Sequence, residues 1–470
     1  MIRTELRPYQ DIAARTACAY DGFALFPEQR TGKCLISLAI MDRIRPETLV
    51  IICPKKAVLT WEEEIDLHLD LDWDCDIFIL TYQELVKNKK LRAQWYKWSL
   101  EYVKHNGRLM VIADEAHYIK KPGSSQSRVV RTLGKQAEYR LALTGTPIDK
   151  NYEQFWAIMD FIQHGVAFPR TSEGFKKIYC DYETVFNRSK TKSWPELVGY
   201  NHEDKMLKII HKYSYRVTFN EARQSIGKAP VRIHRKKAYF DLSETSRGIY
   251  NEMKEDLEVV LDDLTIESPL PITLIQKLQQ ICGGFLLHQQ RIPGEKKRRR
   301  IVVEIGSEKL DHLMNVCSGI GDEKVVIICR YTHEIEAISK KFEKFNWTYK
   351  VISGTSEWDG VFDTDFVILQ VRSGLGFDLS ESATIVFYSW DHSYITFEQS
   401  RFRVMNMETT KKVNYIFLIA RNTIEEEYYT AVAKKKEFST LVLDTRRREE
   451  RATTASGRKR RVRKARRATA

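Results

Sequence analysis

The chain has 470 residues, of which 43% are hydrophobic and 30% charged, and its formal net charge is +13. This length predicts two or three domains with sizeable cores. No apolar run approaches the roughly 20 residues that span a bilayer, which argues against a membrane partner, and the first residues lack the apolar segment of a secretory signal. The eight cysteines are scattered without a C-x-x-C pair. This spacing favours reduced thiols in a cytoplasmic protein, in the host cytoplasm if the chain is viral.

A glycine-containing turn before a helix-like run at 35–40 is the first candidate site, and it reads Pro27-Glu28-Gln29-Arg30-Thr31-Gly32-Lys33-Cys34. Gly32 would let the backbone approach a phosphate, and Lys33 would reach its β and γ oxygens while the helix amides face the anion. The match to a phosphate loop is incomplete, because Pro27 replaces its first glycine and Cys34 replaces its hydroxyl. A thiol is a poor ligand for Mg²⁺. An ordinary turn that opens a helix is the alternative interpretation.

Four apolar segments in the first half have the length of buried strands: 49–53, 77–80, 109–113 and 139–143. Turn or helix signals separate them, and this alternation predicts a parallel sheet covered on both faces. Two adjacent carboxylates, Asp114 and Glu115, follow the third strand. Because such sheets bind ligands outside the carboxyl ends of their strands, one acid would hold Mg²⁺ through its water shell and the other would orient an attacking water. Solvated acids at a strand end are the plainer alternative.

The same pattern begins again near residue 324, with strand-like segments at 324–329, 350–353, 365–370, 384–388 and 413–419. A helix-like segment at 423–443 comes after them. These elements predict a second α/β lobe of similar size that lacks a phosphate loop. The predicted organisation is a first lobe at 1–235, a helical linker at 236–305, a second lobe at 306–445 and a disordered basic tail at 446–470.

Positive charge is concentrated in two places. Residues 446–470 hold twelve Lys and Arg against Glu449 and Glu450, so this tail carries ten of the thirteen net charges. Such a tail is expected to be disordered and to bind polyanions by counterion release, with a merely solvated tail as the alternative. The run Lys296-Lys297-Arg298-Arg299-Arg300 in the linker is either a solvated loop or a DNA contact.

The motifs of the chain, taken in order, resemble those of the Swi/Snf-type ATPases of helicase superfamily two, in a compact form like those carried by bacteriophages. The resemblance spans about residues 3–445. In the first half the motifs are Leu6-Arg7-Pro8-Tyr9-Gln10, Thr31-Gly32-Lys33, Cys53-Pro54 with Trp61, Leu80-Thr81-Tyr82, the DEAH box Asp114-Glu115-Ala116-His117, and Thr144-Gly145-Thr146-Pro147. In the second half they are Leu274 with Gln279-Gln280-Ile281-Cys282-Gly283, Gly374-Leu375-Gly376-Phe377-Asp378-Leu379, Gln399 with Arg403, and Thr423-Ile424-Glu425-Glu426-Glu427-Tyr428.

The resemblance implies an α/β fold with two RecA-like parallel-sheet lobes in tandem, and it implies roles for individual residues. Arg7 and Gln10 look like the motif that reads adenine, and residues 27–34 look like the phosphate loop. The catalytic group would be Lys33, Asp114 as the magnesium-holding acid, Glu115 as the water-activating acid, and Arg403. Residues that couple hydrolysis to lobe movement would be His117, Thr144, Thr146 and Gln399. Segments on the DNA backbone would include Pro54, Lys55, Lys56 and Gly374.

Two positions depart from the family pattern. Cys34 replaces the hydroxyl of the phosphate loop, and Asn406 stands at the second arginine of the last motif. Either Arg401 or Arg403 would then act as the arginine finger, or hydrolysis would be weak, since a missing finger is worth roughly 10³ or more in rate.

The resemblance therefore implies an ATP-dependent DNA translocase or helicase that uses ATP and magnesium, with ATP bound between Lys33 and Arg403. It would move on, or remodel, duplex or branched DNA without reading sequence, because phosphate contacts carry no base code. A true strand-separating helicase of the same superfamily is one alternative. A DNA-binding scaffold with impaired hydrolysis is the other, and no protein partner is predicted.

Overall fold

The computed structural model describes residues 1–104, 107–147, 151–186, 193–261, 264–268, 271–291, 298–354, 360–371, 378–391 and 393–443. It divides into two units, one formed by Met1–Pro230 with the described residues 435–443, the other by Val231–Lys434. Each unit contains one six-stranded sheet. None of the described helices is long and apolar enough to cross a membrane.

The first unit begins with a short helix and a short strand that precede the candidate phosphate loop. Its strands are β1 (Gly22–Leu25), β2 (Thr48–Cys53), β3 (Asp76–Thr81), β4 (Leu109–Ala113), β5 (Tyr139–Leu143), β6 (Cys180–Phe186), β7 (Ser193–Tyr200) and β8 (Ser214–Tyr215). Its helices are α1 (Pro8–Ala17), α2 (Lys33–Ile44), α3 (Val58–His68), α4 (Tyr82–Lys87), α5 (Lys89–Lys104), α6 (Ser125–Gly134), α7 (Glu153–Ile162), α8 (Ser172–Tyr179), α9 (Glu203–Lys212) and α10 (Phe219–Gln224). Single 3₁₀ turns span Lys55–Ala57 and Ala116–Ile119.

The first sheet has the strand order β3-β2-β4-β5-β1-β8, and all of its neighbours are parallel. Side chains alternate between its faces because the strand period is two residues. Ile52 and Val111 belong to one buried cluster, and Ile51 and Ile112 belong to the cluster on the other face. Both faces are covered, so the strands are apolar throughout, as parallel strands between helical layers usually are.

The second unit repeats this plan after a region of helices and strand pairs. Its strands are β9 (Ile233–Phe240), β10 (Glu258–Leu261), β11 (Leu264–Glu267), β12 (Phe285–Arg291), β13 (Arg298–Glu304), β14 (Val325–Cys329), β15 (Tyr349–Ile352), β16 (Phe366–Gln370), β17 (Thr384–Phe387) and β18 (Val413–Ala420). Its helices are α11 (Glu244–Asp256), α12 (Pro271–Cys282), α13 (Glu308–Ser318), α14 (Thr332–Lys344), α15 (Tyr394–Arg401) and α16, which begins in this unit (Ile424–Leu443). A 3₁₀ turn spans Phe402–Val404.

The second sheet is also parallel throughout, in the order β15-β16-β14-β17-β18-β9. The predicted fold class of two parallel-sheet lobes is therefore confirmed. Edge strand β9 crosses the predicted boundary at 235/236 and belongs to this sheet. Its exposed residues include Arg235, Lys236 and Lys237, and such charges on an edge discourage pairing with another chain. These consecutive basic residues interrupt the apolar run that the sequence pattern requires of a buried strand, so β9 was not predicted.

The region predicted as a helical linker contains helices α11 and α12, but also two antiparallel strand pairs, β10 with β11 and β12 with β13. The prediction of a helical linker or insertion did not include these strands, because β10 and β11 have only four residues each and polar or basic residues interrupt the apolar pattern of β12 and β13. The predicted disordered tail at 446–470 and the glycine turn at Gly374 lie outside the described residues, as do Lys296 and Lys297.

Candidate nucleotide-binding and hydrolysis site

The candidate phosphate loop connects β1 to the first turn of α2. Gly32 is the residue before α2 and has φ 75°, a left-handed conformation that glycine adopts at little cost. A Cβ atom at this position would also lie 2.6 Å from Gln10 Nε2. Lys33 is the first residue of the helix, so its backbone and the following amides lie at the positive end of the helix dipole.

The start of α1 is fastened to this loop by hydrogen bonds. The Tyr9 hydroxyl donates to the Thr31 carbonyl at 2.8 Å, and Gln10 Nε2 donates to the same oxygen at 3.2 Å. The backbone N–H of Arg7 donates to Gln10 Oε1 at 2.9 Å. The structure therefore brings the two residues of the predicted adenine-reading motif next to the predicted phosphate loop.

Side chains within the loop hold its conformation. Thr31 Oγ1 donates to the Glu28 carbonyl at 2.6 Å, and the Lys33 ammonium lies 3.4 Å from the carbonyls of Pro27 and Glu28. The Glu28 carboxylate accepts from the Phe219 backbone N–H at 2.9 Å, which ties the loop to the start of α10. The sequence predicted Thr31 and Glu28 only as members of the loop, and it gave no indication of the contact with Phe219.

The acid pair comes directly after β4, and Asp114 accepts three hydrogen bonds, two at its carboxylate and one at its backbone carbonyl. Trp61 Nε1 donates to Asp114 Oδ2 at 3.0 Å, and the Glu115 N–H donates to Asp114 Oδ1 at 2.8 Å. The Tyr82 hydroxyl donates to the Asp114 carbonyl at 2.6 Å. Trp61 and Tyr82 are fully buried, so the carboxylate has little freedom to turn. A hard oxygen ligand held in this way fits a magnesium-binding acid.

Glu115 has a backbone conformation that is unusual for a residue with a side chain. Its φ is 48°, in the left-handed region, which costs of order 1 kcal/mol or more for a non-glycine residue. Its Oε2 lies 3.1 Å from His117 Nδ1 and 3.5 Å from Thr144 Oγ1. The Thr146 N–H donates to Thr144 Oγ1 at 3.2 Å. The strained turn thus brings the predicted water-activating acid to the predicted coupling residues.

The end of β5 also lies against the phosphate loop. A Cβ atom added at Gly145 would lie 3.1 Å from Gln29 Cγ and 3.5 Å from Lys33 Nζ. The residues just after β4 and β5 therefore meet the start of α2 at one edge of the sheet. The three segments follow the carboxyl ends of β1, β4 and β5, which is where parallel sheets bind ligands.

Burial changes the ionisation of two groups at this edge. Loss of water contact and the charge of Glu115 raise the pKa of Asp114, and the Trp61 hydrogen bond and the charge of Lys33 oppose that rise. Loss of water contact, and next the charge of Asp114, raises the pKa of the Cys34 thiol well above its usual range. Cys34 is therefore a neutral thiol at physiological pH and does not fit the role of a magnesium ligand.

The predicted DNA-contacting segment after β2 is a single 3₁₀ turn. Pro54 is buried, whereas Lys55 and Lys56 are exposed on Lys55–Ala57. Two neighbouring exposed cations on such a turn can contact a phosphate backbone.

The arginine motif of the second unit is mostly buried. Arg401 forms an ion pair with Glu398, and these side chains are only 5% and 4% exposed. Arg403 is also buried, and its carbonyl accepts from the Leu379 N–H at 2.9 Å. Gln399 lies on α15 and is partly exposed.

Asn406 forms hydrogen bonds with neighbouring residues in this region. Its Nδ2 donates to Ser380 Oγ at 2.7 Å, and its Oδ1 accepts from the Glu408 N–H at 2.9 Å. These bonds order the turn before β18. The ion pair of Arg401 makes that residue a poor candidate for an arginine finger, which leaves Arg403 as the candidate in this motif.

Sequence reasoning did not assign roles to four residues that shape the two units. Trp61 and Tyr82 stood in the quoted motifs, but only the structure shows that both fix Asp114. In the second unit, the Lys309 ammonium donates to Glu425, and both side chains are 1% exposed. The signal for this pair was the acidic motif at 423–428, whose partner lies 116 residues away in sequence.

Comparison with known proteins places the chain in a family. The model of the SNF2-related domain matches residues 25–284, and the chain belongs to this family. It is 22% identical over 411 residues to the chromodomain-helicase-DNA-binding protein 1-like of Danio rerio, covering 83% of this chain and 37% of that protein. It is 21% identical to the ISWI chromatin-remodeling complex ATPase ISW1 of Saccharomyces cerevisiae, covering 91% of this chain and 39% of that protein.

The chain thus spans less than half the length of these curated relatives. Among solved structures, it is similar to the Sulfolobus solfataricus SWI2/SNF2 ATPase core in complex with dsDNA. The identity is 20% and the TM-score 0.39, with 94% of this chain and 93% of that chain covered.

Proposed function

We propose that the chain is a DNA-dependent ATPase that couples ATP hydrolysis to translocation along DNA or to remodelling of it. The observation that carries this proposal is the cluster at the carboxyl edge of the first sheet. There Lys33 lies beside the end of β5, and Glu115 lies 3.1 Å from His117. Membership of the SNF2-related family supports the same activity.

In this proposal each residue of the cluster has one task. Lys33 and the first amides of α2 bind the β- and γ-phosphates of ATP. Magnesium, held through Asp114, would neutralise charge on the phosphate oxygens. Glu115 accepts a proton from the attacking water as the new bond to the γ-phosphorus forms and the bond to the ADP oxygen breaks. His117, at 3.1 Å from Glu115, orients that carboxylate, and Thr144 links it to the end of β5.

Arg7 and Gln10 are proposed to recognise adenine, and Arg403 to stabilise the charge of the γ-phosphoryl group. Gln399 is proposed to take part in coupling, together with Thr146. Arg403 matters most among these residues, because Arg401 is already paired with Glu398 and Asn406 is uncharged. An arginine that reaches the transferring phosphoryl group is worth roughly 10³-fold or more in rate.

DNA is the proposed partner, bound through its backbone and without sequence preference. Lys55 and Lys56 are proposed contacts, as is the segment around Gly374. The names of the relatives refer to a helicase, to DNA binding and to chromatin remodelling, which supports DNA as the partner. Branched DNA is a further proposed substrate, and the cytoplasm, or the host cytoplasm if the chain is viral, is the proposed location.

Steady-state ATP turnover without DNA and with single-stranded, duplex and branched DNA tests the proposal. We expect duplex DNA to stimulate turnover, and Glu115→Gln to reduce stimulated turnover by about 10²-fold or more while ATP still binds. Glu115→Gln keeps the size of the side chain, so it separates chemistry from packing. If ATP binds but no DNA raises turnover, the hydrolysis-impaired scaffold is the correct function.

A strand-displacement assay distinguishes a translocase from a strand-separating helicase. A translocase removes a third strand from triplex DNA without separating the underlying duplex, whereas a strand-separating helicase releases a labelled strand from a forked duplex. We expect the first result, and release of the forked strand would establish the alternative.

A further inference from the structure

Strands β12 and β13 form an antiparallel pair with a basic end, which we call the basic ribbon (Phe285–Arg291 and Arg298–Glu304). Seven residue pairs run from Phe285 opposite Glu304 to Arg291 opposite Arg298. These strands pair only with each other among the described sheets. The ribbon contains part of the charge run that the sequence left open between a solvated loop and a DNA contact.

The base of the ribbon is fixed to the second unit. Gly284 has φ 88°, and a Cβ atom there would lie 2.1 Å from the Gly306 carbonyl oxygen. The Ile305 N–H donates to the Gly284 carbonyl at 2.8 Å, and the Leu287 N–H donates to Gln280 Oε1 at 3.0 Å. The two strands therefore leave the core at a closely packed point that hydrogen bonds hold in place. These contacts fix the direction in which the ribbon extends.

Charge is distributed unevenly along the ribbon. Its one acidic residue, Glu304, is at the base, where it lies 3.0 Å from His333 Nε2. The other end contains four arginines, and the register places Arg291 directly opposite Arg298. Arg299 and Arg300 are exposed, and within the described part of the chain neither has an ion-pair partner.

We infer that the basic ribbon binds the phosphodiester backbone of a nucleic acid, at a site separate from the ATP-binding cluster and from Lys55 and Lys56. Arg299 and Arg300 are exposed to solvent, and a guanidinium forms two parallel hydrogen bonds to a phosphate. The inference rests on the proposed function in taking DNA as that polyanion. The ribbon contacts phosphates and does not read bases, because arginine contacts to the backbone carry no sequence information.

The test compares two double variants of the full chain that lose the same charge. Arg299→Gln with Arg300→Gln neutralises the ribbon, and Lys340→Gln with Lys344→Gln neutralises two exposed lysines of α14 in the same unit. Binding to a fluorescent DNA duplex is measured by anisotropy over a series of salt concentrations. Each lost phosphate contact lowers the slope of log K against log salt by about 0.9.

We expect the ribbon variant to reduce that slope by about 2 and to weaken binding roughly tenfold at low salt, while the α14 variant stays close to the unchanged chain. Arg299→Lys with Arg300→Lys should restore the slope, since it keeps both charges. A duplex of RNA should show the same loss if phosphates alone are bound. Turnover of ATP without DNA should be unchanged in every variant.

The experiment distinguishes failure of the proposed function from failure of the ribbon inference. If the unchanged chain binds no nucleic acid, the proposed function fails, and the ribbon inference fails with it. If the unchanged chain binds DNA but the ribbon variant has the same affinity and salt slope as the α14 variant, the ribbon inference is overturned and the proposed function stands. In that case the arginines only keep the open edges of the ribbon from pairing with another chain.

Discussion

Each of the two units contains its own six-stranded parallel sheet. The units differ in how far their paired charged side chains are exposed to water. In the first unit, Glu115 and His117 keep 15% and 13% of their side chains exposed. In the second unit, Lys309 and Glu425 form an ion pair in which each side chain is 1% exposed. A group that takes a proton from water must be reachable by water. An ion pair that joins two elements can be fully buried, provided that its charges neutralise each other.

The comparison shows that the parallel sheet does not by itself make a reactive site. The residues at the carboxyl end of each strand decide its function. In the first sheet these residues include a glycine turn and an acid pair. In the second sheet, Glu425 lies beyond the end of β18, and its carboxylate accepts from the Ala420 N–H at 3.0 Å. Substitutions in the first unit should therefore change the chemistry, and substitutions of the buried pair in the second unit should change stability.

Replacing Lys33 by alanine is expected to have the largest effect. ATP turnover should fall at least about 10²-fold, because a cation at the β- and γ-phosphates stabilises charge that develops during transfer. Turnover with saturating duplex DNA measures this effect. Lys135→Ala, at an exposed lysine of the same unit, is the matched control and should retain full turnover. Full activity of Lys33→Ala would exclude the phosphate-loop assignment.

Lys309→Met should destabilise the second unit by about 3–5 kcal/mol, because it leaves Glu425 buried without its counter-charge. Adding Glu425→Gln should recover much of this loss, since a neutral amide oxygen can still accept from Ala420. The midpoint of urea unfolding measures both variants. If Lys309→Met unfolds at the same urea concentration as the unchanged chain, the ion pair does not stabilise the second unit.

Trp61→Phe should raise the magnesium concentration needed for half-maximal turnover by roughly tenfold. It removes a hydrogen bond to a carboxylate, and such bonds contribute about 1.5–3 kcal/mol. Tyr82→Phe is the matched control, because it removes a bond to the carbonyl of the same residue, Asp114, and leaves the carboxylate contact in place. Equal magnesium dependence in all three proteins would refute the positioning role of Trp61.

Cys34→Thr should have the smallest effect, with magnesium-dependent turnover unchanged or raised by a few-fold. The hydroxyl supplies the hard oxygen that the partly buried thiol lacks. Cys34→Ala, which supplies neither group, should behave like the unchanged chain. A large loss in Cys34→Thr with normal activity in Cys34→Ala would mean that the added side chain does not fit.

The hydrophobic pattern located most strands of the two sheets to within one or two residues, because buried parallel strands are continuous apolar runs. It missed β1 and β8, which have four and two residues and are too short to show a pattern. It also missed β9, in which exposed basic residues interrupt the run. The strand pair β6 and β7 was not predicted for a similar reason, since most of its described side chains are exposed.

The sequence by itself determined the two α/β lobes and the short motifs, because strand periodicity and the residues needed for phosphate and magnesium chemistry are local. Only the tertiary structure showed that Trp61 and Tyr82 hold Asp114, that Lys309 neutralises Glu425, and that Arg401 is already paired. These contacts join residues far apart in the chain, except the last. Burial, which depends on every packed neighbour at once, decides which of them remain available for chemistry.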